Sequence, residues 1–64
     1  MKINGEMLKA YRDCERITQE DLGKKLKLKR KTISSLETGR TGASSDTISR
    51  ICKLLGCKRT DIVK

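Results

Sequence analysis

The chain has 64 residues, with sixteen Lys or Arg against eight Asp or Glu and no histidine, for a net charge of +8. A chain this short makes one domain, residues 1–64, and buries only about 60% of the surface it exposes when unfolded, so its core is small. No apolar run approaches the ~20 residues of a membrane span and nothing resembles a signal peptide, so the cytoplasm is the expected compartment. Met1 fits a natural start. Without His, Trp or Phe, the chain offers no catalytic set and no platform for stacking unpaired bases. The three cysteines, Cys14, Cys52 and Cys57, are odd in number and form no CxxC pair. They read as reduced thiols, and neither a metal nor another cofactor is expected. The positive charge suits nucleic acid, anionic membrane or an acidic protein, and does not choose among them.

The punctuation is that of an all-α domain of five helices, with no proline and no alternating strand pattern. The first helix is predicted over Gly5–Glu15. Asn4 caps it, Ile3 and Leu8 are spaced as a hydrophobic staple, and Leu8, Tyr11 and Arg12 share a face. The second begins after Thr18, with Asp21 at the third position as in a capping box, and Ile17 and Leu22 form a second staple. Leu22 and Leu26 face the core. Glu20 and Asp21 lie at the positive end of the helix dipole, Lys24 and Lys25 towards the negative end. Lys27-Leu28-Lys29 makes a turn. The third helix runs over Arg30–Thr38 and stops at Gly39. Ile33 and Leu36 point inward, Lys31, Ser35 and Thr38 point outward, and Arg30 and Ser34 lie at the flank. Gly39–Ala43 is a loop. Ser44 caps a fourth helix ending at Gly56, on which Ile48, Ile51, Cys52 and Leu55 recur at i, i+3, i+4, i+7. A final turn over Arg59–Val63 returns Ile62 to the core.

The most informative stretch is Gln19–Glu37, in which six of the eight residues Lys24–Lys31 are Lys or Arg. With Thr18-Gln19-Glu20-Asp21-Leu22-Gly23, Thr32-Ile33-Ser34-Ser35-Leu36-Glu37-Thr38-Gly39-Arg40 and Leu55-Gly56-Cys57 in place, the chain resembles the Cro/C1-type (XRE) helix-turn-helix family of phage and bacterial regulators. The resemblance runs from Leu8 to Val63. It implies a lambda-repressor-like fold whose second and third helices form the helix-turn-helix. The implied function is sequence-specific binding of double-stranded DNA by a transcriptional regulator, with repression the expected direction. Gly23 is expected at the crossing of those two helices, where a small residue permits close approach.

Glu37 lies on the inward side of the third helix, about 40° from Ile33, and an unpaired carboxylate there would be costly. Arg12 bears the same relation to Leu8, and the family pairs these two positions. An Arg12–Glu37 ion pair is therefore expected, against the alternative of two solvated side chains at the core edge. Lys27 stands where the family usually has glycine in a left-handed turn. The loop's customary proline is here Ala43, and the apolar residue soon after is Ser45, which puts the loop's rigidity in question.

By resemblance the third helix enters the major groove. Arg30, Lys31 and Ser35 occupy base-reading positions, with Ser34 and Thr32 nearby. Arg30 is the better candidate for a two-bond contact to guanine, whereas Lys31 reads equally as a phosphate contact. Gln19, Arg40 and Thr41 occupy phosphate-contacting positions, and Lys29 and Lys24 add to them. Such proteins bind palindromic operators as dimers. A weak homodimer formed on DNA through exposed parts of Leu54, Ile62 or Val63 is the corresponding expectation. Three other readings compete: a basic amphipathic segment on membranes or acidic partners, an RNA binder, and an antitoxin-like interaction module on the same fold.

Overall fold

Local chemistry decides where each helix begins. The computed structural model describes residues 1–64 and contains α1 (Gly5–Cys14), α2 (Gln19–Leu26), α3 (Arg30–Glu37), α4 (Ser45–Leu55) and α5 (Arg59–Ile62). The Asn4 side-chain oxygen Oδ1 caps α1 by accepting from the Met7 N–H at 3.3 Å. Thr18 Oγ1 accepts from the Asp21 N–H at 3.1 Å, and Ser44 Oγ from the Thr47 N–H at 3.2 Å. Each satisfies an amide that has no partner within the helix. At α5 the Asp61 carboxylate reaches back to the Lys58 N–H at 3.0 Å.

The first four helices end alike. The amides of Ile17, Leu28, Arg40 and Cys57 return to the carbonyls of Arg12 (3.1 Å), Gly23 (2.7 Å), Ser35 (3.0 Å) and Cys52 (3.1 Å). This six-to-one closure needs a left-handed residue just before the donor. Those residues are Arg16, Lys27, Gly39 and Gly56, with φ of 56°, 59°, 77° and 68°. Glycine takes this backbone without strain, but Arg16 and Lys27 do not. Four predicted helices ran one residue long: α1 ends at Cys14, α3 at Glu37, α4 at Leu55, with Gly56 as its cap, and α5 at Ile62. Glu15, Thr38 and Val63 are the other caps.

The apolar stripes meet in one core. Leu8, Leu22, Ile33, Ile48, Ile51 and Ile62 are all at 0% exposure, a burial worth about 1.5–3 kcal/mol per side chain. Full burial removes Ile62 from the expected dimer surface. Leu54 and Val63 remain half-buried.

A backbone clasp joins the two ends of the chain. Ile3 and Val63 form an antiparallel bridge, flanked by Asn4 N–H donating to the Ile62 carbonyl at 2.7 Å and Lys64 N–H donating to the Lys2 carbonyl at 3.1 Å. The same N-terminal segment holds the loop after α3, because the Ala43 N–H donates to the Met1 carbonyl at 2.9 Å. Ser45, at the start of α4, accepts from Arg59 Nη2 at 2.7 Å. The loop is thus tied from both sides where a proline and an apolar anchor were missing. No helix is long and apolar enough to cross a membrane.

Candidate nucleic-acid interface

Two close backbone approaches set the position of α3. A Cβ on Gly23 would lie 2.6 Å from the Leu28 carbonyl oxygen. The expected tight contact exists, but against the turn leading into α3 and not against α3 itself. A Cβ on Gly5 would overlap the carbonyl of Glu37 and lie 2.9 Å from that of Leu36. The start of α1 therefore rests on the C-terminal backbone of α3. Nothing in the sequence pattern marks Gly5, since only a contact made across thirty-two positions reveals its role.

Arg12 and Glu37 fix the same helix pair through side chains. Arg12 Nε donates to Glu37 Oε2 at 2.6 Å and Nη2 donates to Oε1 at 3.3 Å. A third nitrogen, Nη1, donates to the Ile17 carbonyl at 2.8 Å, which also holds the end of α1. The two side chains are 10% and 5% exposed, which excludes the alternative of two solvated groups. The Glu37 hydrogen bond holds the Arg12 guanidinium above its ordinary pKa, against the opposing effect of burial. Gln19 completes the cluster, its Nε2 donating to Glu37 Oε1 at 3.1 Å. Gln19 was expected at a phosphate. The structure places it at the head of α2, half-buried, with one amide hydrogen committed to Glu37.

With Ile33 and Leu36 consumed by the core, α3 turns its polar side outward. Lys29, Lys31, Thr32, Ser35, Arg40 and Thr41 line one open groove of about 460 Å³. All six were candidate DNA contacts, and no acidic or apolar residue lines this groove. Arg30 lies outside it, exposed at the first position of α3. Ser34 is half-buried on the flank. Lys24 stands apart, exposed and 3.8 Å from Glu20 on its own helix. The basic run Lys24–Lys31 is not a free amphipathic segment, because Leu26 is only 5% exposed and Leu28 packs against the core.

The helix-turn-helix family model matches residues 8–62, and the chain belongs to that family, in its Cro/C1-type branch. It is 44% identical over 55 residues to an uncharacterized HTH-type transcriptional regulator of Methanocaldococcus jannaschii, covering 86% of this chain and 83% of that protein. Among solved structures it is similar to the P22 c2 repressor in complex with a synthetic operator, with a TM-score of 0.83 and 27% identity over 92% of this chain and 89% of that one. It is also similar to the clp gene regulator ClgR of Corynebacterium glutamicum, with a TM-score of 0.82 and 28% identity. That match covers 89% of this chain and 61% of the longer regulator.

Proposed function

We propose that α3 enters the major groove of an operator and that the groove beside it straddles one phosphate backbone. The protein is a sequence-specific DNA-binding transcriptional regulator. Arg30, Lys31, Ser35, Ser34 and Thr32 face the base edges. Arg30 makes the paired contact to guanine O6 and N7 that its planar fork allows. Lys29, Arg40 and Thr41 take phosphates, Gln19 uses its remaining amide hydrogen for another, and Lys24 adds non-specific attraction. Binding without catalysis, in the cytoplasm and at the nucleoid, is the role this assigns, and the likeness to the P22 c2 repressor supports repression as its direction. The observation that carries the reading is the groove of Lys29, Lys31, Thr32, Ser35, Arg40 and Thr41 beside a helix whose other face is locked in the core.

One such domain reads only a few base pairs, so a second copy on a palindromic site completes the proposal. Half-sites one turn apart lie about 34 Å from each other, and this domain measures 23 × 22 × 19 Å between Cα extremes. Two copies on adjacent turns therefore come within side-chain reach. Leu54 and Val63, both half-buried, are the remaining apolar candidates for that contact.

Selection of bound sites from a random duplex library at about 150 mM salt, the physiological ionic strength, tests both parts. An enriched palindrome with ~10-bp half-site spacing, whose preference Arg30→Ala relaxes at one position, is the expected result. Uniform recovery without a motif would refute sequence-specific binding.

A further inference from the structure

A second groove adjoins the first and has no part in the helix-turn-helix. It encloses about 300 Å³ and is lined by Lys2, Ile3, Gly39, Arg40, Thr41, Gly42 and Lys64. Arg40 and Thr41 line both grooves, so the two share a wall. Three of the seven lining residues, Lys2, Arg40 and Lys64, are cations and none is Asp or Glu. Lys2 and Lys64 lie at opposite ends of the sequence, and neither belongs to a helix. We infer that Lys2 and Lys64 bind the DNA phosphate backbone next to the phosphates held by Arg40 and Thr41, extending the footprint beyond the recognition helix.

The clasp makes this a defined site. Lys64 N–H donates to the Lys2 carbonyl at 3.1 Å and Ala43 N–H to the Met1 carbonyl at 2.9 Å, so the backbones that carry the two lysines and the loop are tied together. A Cβ on Gly42 would overlap the Met1 carbonyl, which brings the loop directly onto the N-terminal segment. Both lysine side chains are exposed. A polyanion already lying along Arg40 and Thr41 meets two further cations on a continuous surface. Phosphates suit such a surface because neutralising each one releases condensed counterions. Lysine, as a compact point charge, serves this role without sequence preference.

This inference rests on the DNA-binding reading, and the test separates the two. The salt dependence of binding to the selected operator is measured for the wild type, for Lys2→Ala/Lys64→Ala, and for Lys9→Ala/Lys53→Ala. The last pair removes the same charge from exposed positions that line neither groove. For Lys2→Ala/Lys64→Ala the slope of log K against log salt becomes shallower by about 1.8 for each bound copy, at ~0.9 per phosphate contact, which amounts to about 30-fold weaker binding per copy at 0.15 M if affinities converge at 1 M. Base preference stays unchanged, and ethylation of the flanking phosphates interferes with wild-type binding only. Slopes that are equal for the two variants would overturn the inference. Failure of the wild type to select any site would instead count against the DNA-binding reading itself.

Discussion

The Arg12–Glu37 pair permits a quantitative test of what holds α1 to the recognition helix. Arg12→Met leaves a 5% exposed carboxylate with only Gln19 as a partner, and Glu37→Leu leaves a 10% exposed guanidinium with only the Ile17 carbonyl and the exposed Asp13. Removing one side of a buried pair costs about 3–5 kcal/mol. A chain of 64 residues has a total stability of about 3–10 kcal/mol at 0.05–0.15 kcal/mol per residue, so either single variant is expected to sit near its unfolding midpoint. The double variant replaces two desolvated charges with apolar side chains, a change that in such pairs ranges from neutral to about 1–4 kcal/mol stabilising. Urea denaturation followed by helical circular dichroism measures the cycle. The expected pattern is two severely destabilised singles and a double within about 2 kcal/mol of the wild type, a strongly non-additive result. Singles costing less than about 1 kcal/mol, as exposed ion pairs do, would refute the assignment of a buried clamp, as would additive losses in the double.

Three further outcomes follow from the backbone and the thiols. Lys27→Gly relieves a left-handed lysine worth about 1–2 kcal/mol and, after the entropy glycine adds to the unfolded chain, raises the melting temperature by several degrees; an unchanged or lower value in a thermal melt would contradict the left-handed turn. Gly5→Ala would stabilise an ordinary helical site by about 1 kcal/mol, but here the new methyl meets the Glu37 and Leu36 carbonyls and the expected change is a loss of about 1–3 kcal/mol, typical of overpacking, so the sign measured by denaturation decides. Cys57 is held up to about 11, by burial first and then by the neighbouring Cys52; it stays a neutral thiol below that pH and is alkylated by iodoacetamide at pH 8 far more slowly than exposed Cys14, with mass mapping of the labelled sites as the readout.

What the sequence made legible was largely local. Asn4, Thr18 and Ser44 announced their helices because a cap and its amide lie within three residues of one another. The core stripes were visible through periodicity, and the Arg12–Glu37 pair through two inward charges of opposite sign together with the family resemblance. Contacts between backbones stayed hidden. Gly5 against Glu37, Met1 against Ala43 and Ile3 against Val63 involve no side-chain pattern, so nothing in composition or spacing marks them. Arg16 was missed for a related reason: a left-handed helix end is recognised by its glycine, and arginine gives no such sign. At the interface the outward residues of α3 were legible from helical phase, whereas the engagement of Gln19 with Glu37 and the second groove needed coordinates.

The clasp between Ile3 and Val63 also bears on the order in which the domain assembles. It closes a loop of some sixty residues, while α2 and α3 are neighbours joined by a short turn. Closure entropy grows with loop length, and contacts of long sequence separation are slow to form. The contacts between α2 and α3 are therefore cheaper to close than the clasp, and the loop bearing Arg40 and Thr41 depends on that costlier closure for its fixed position.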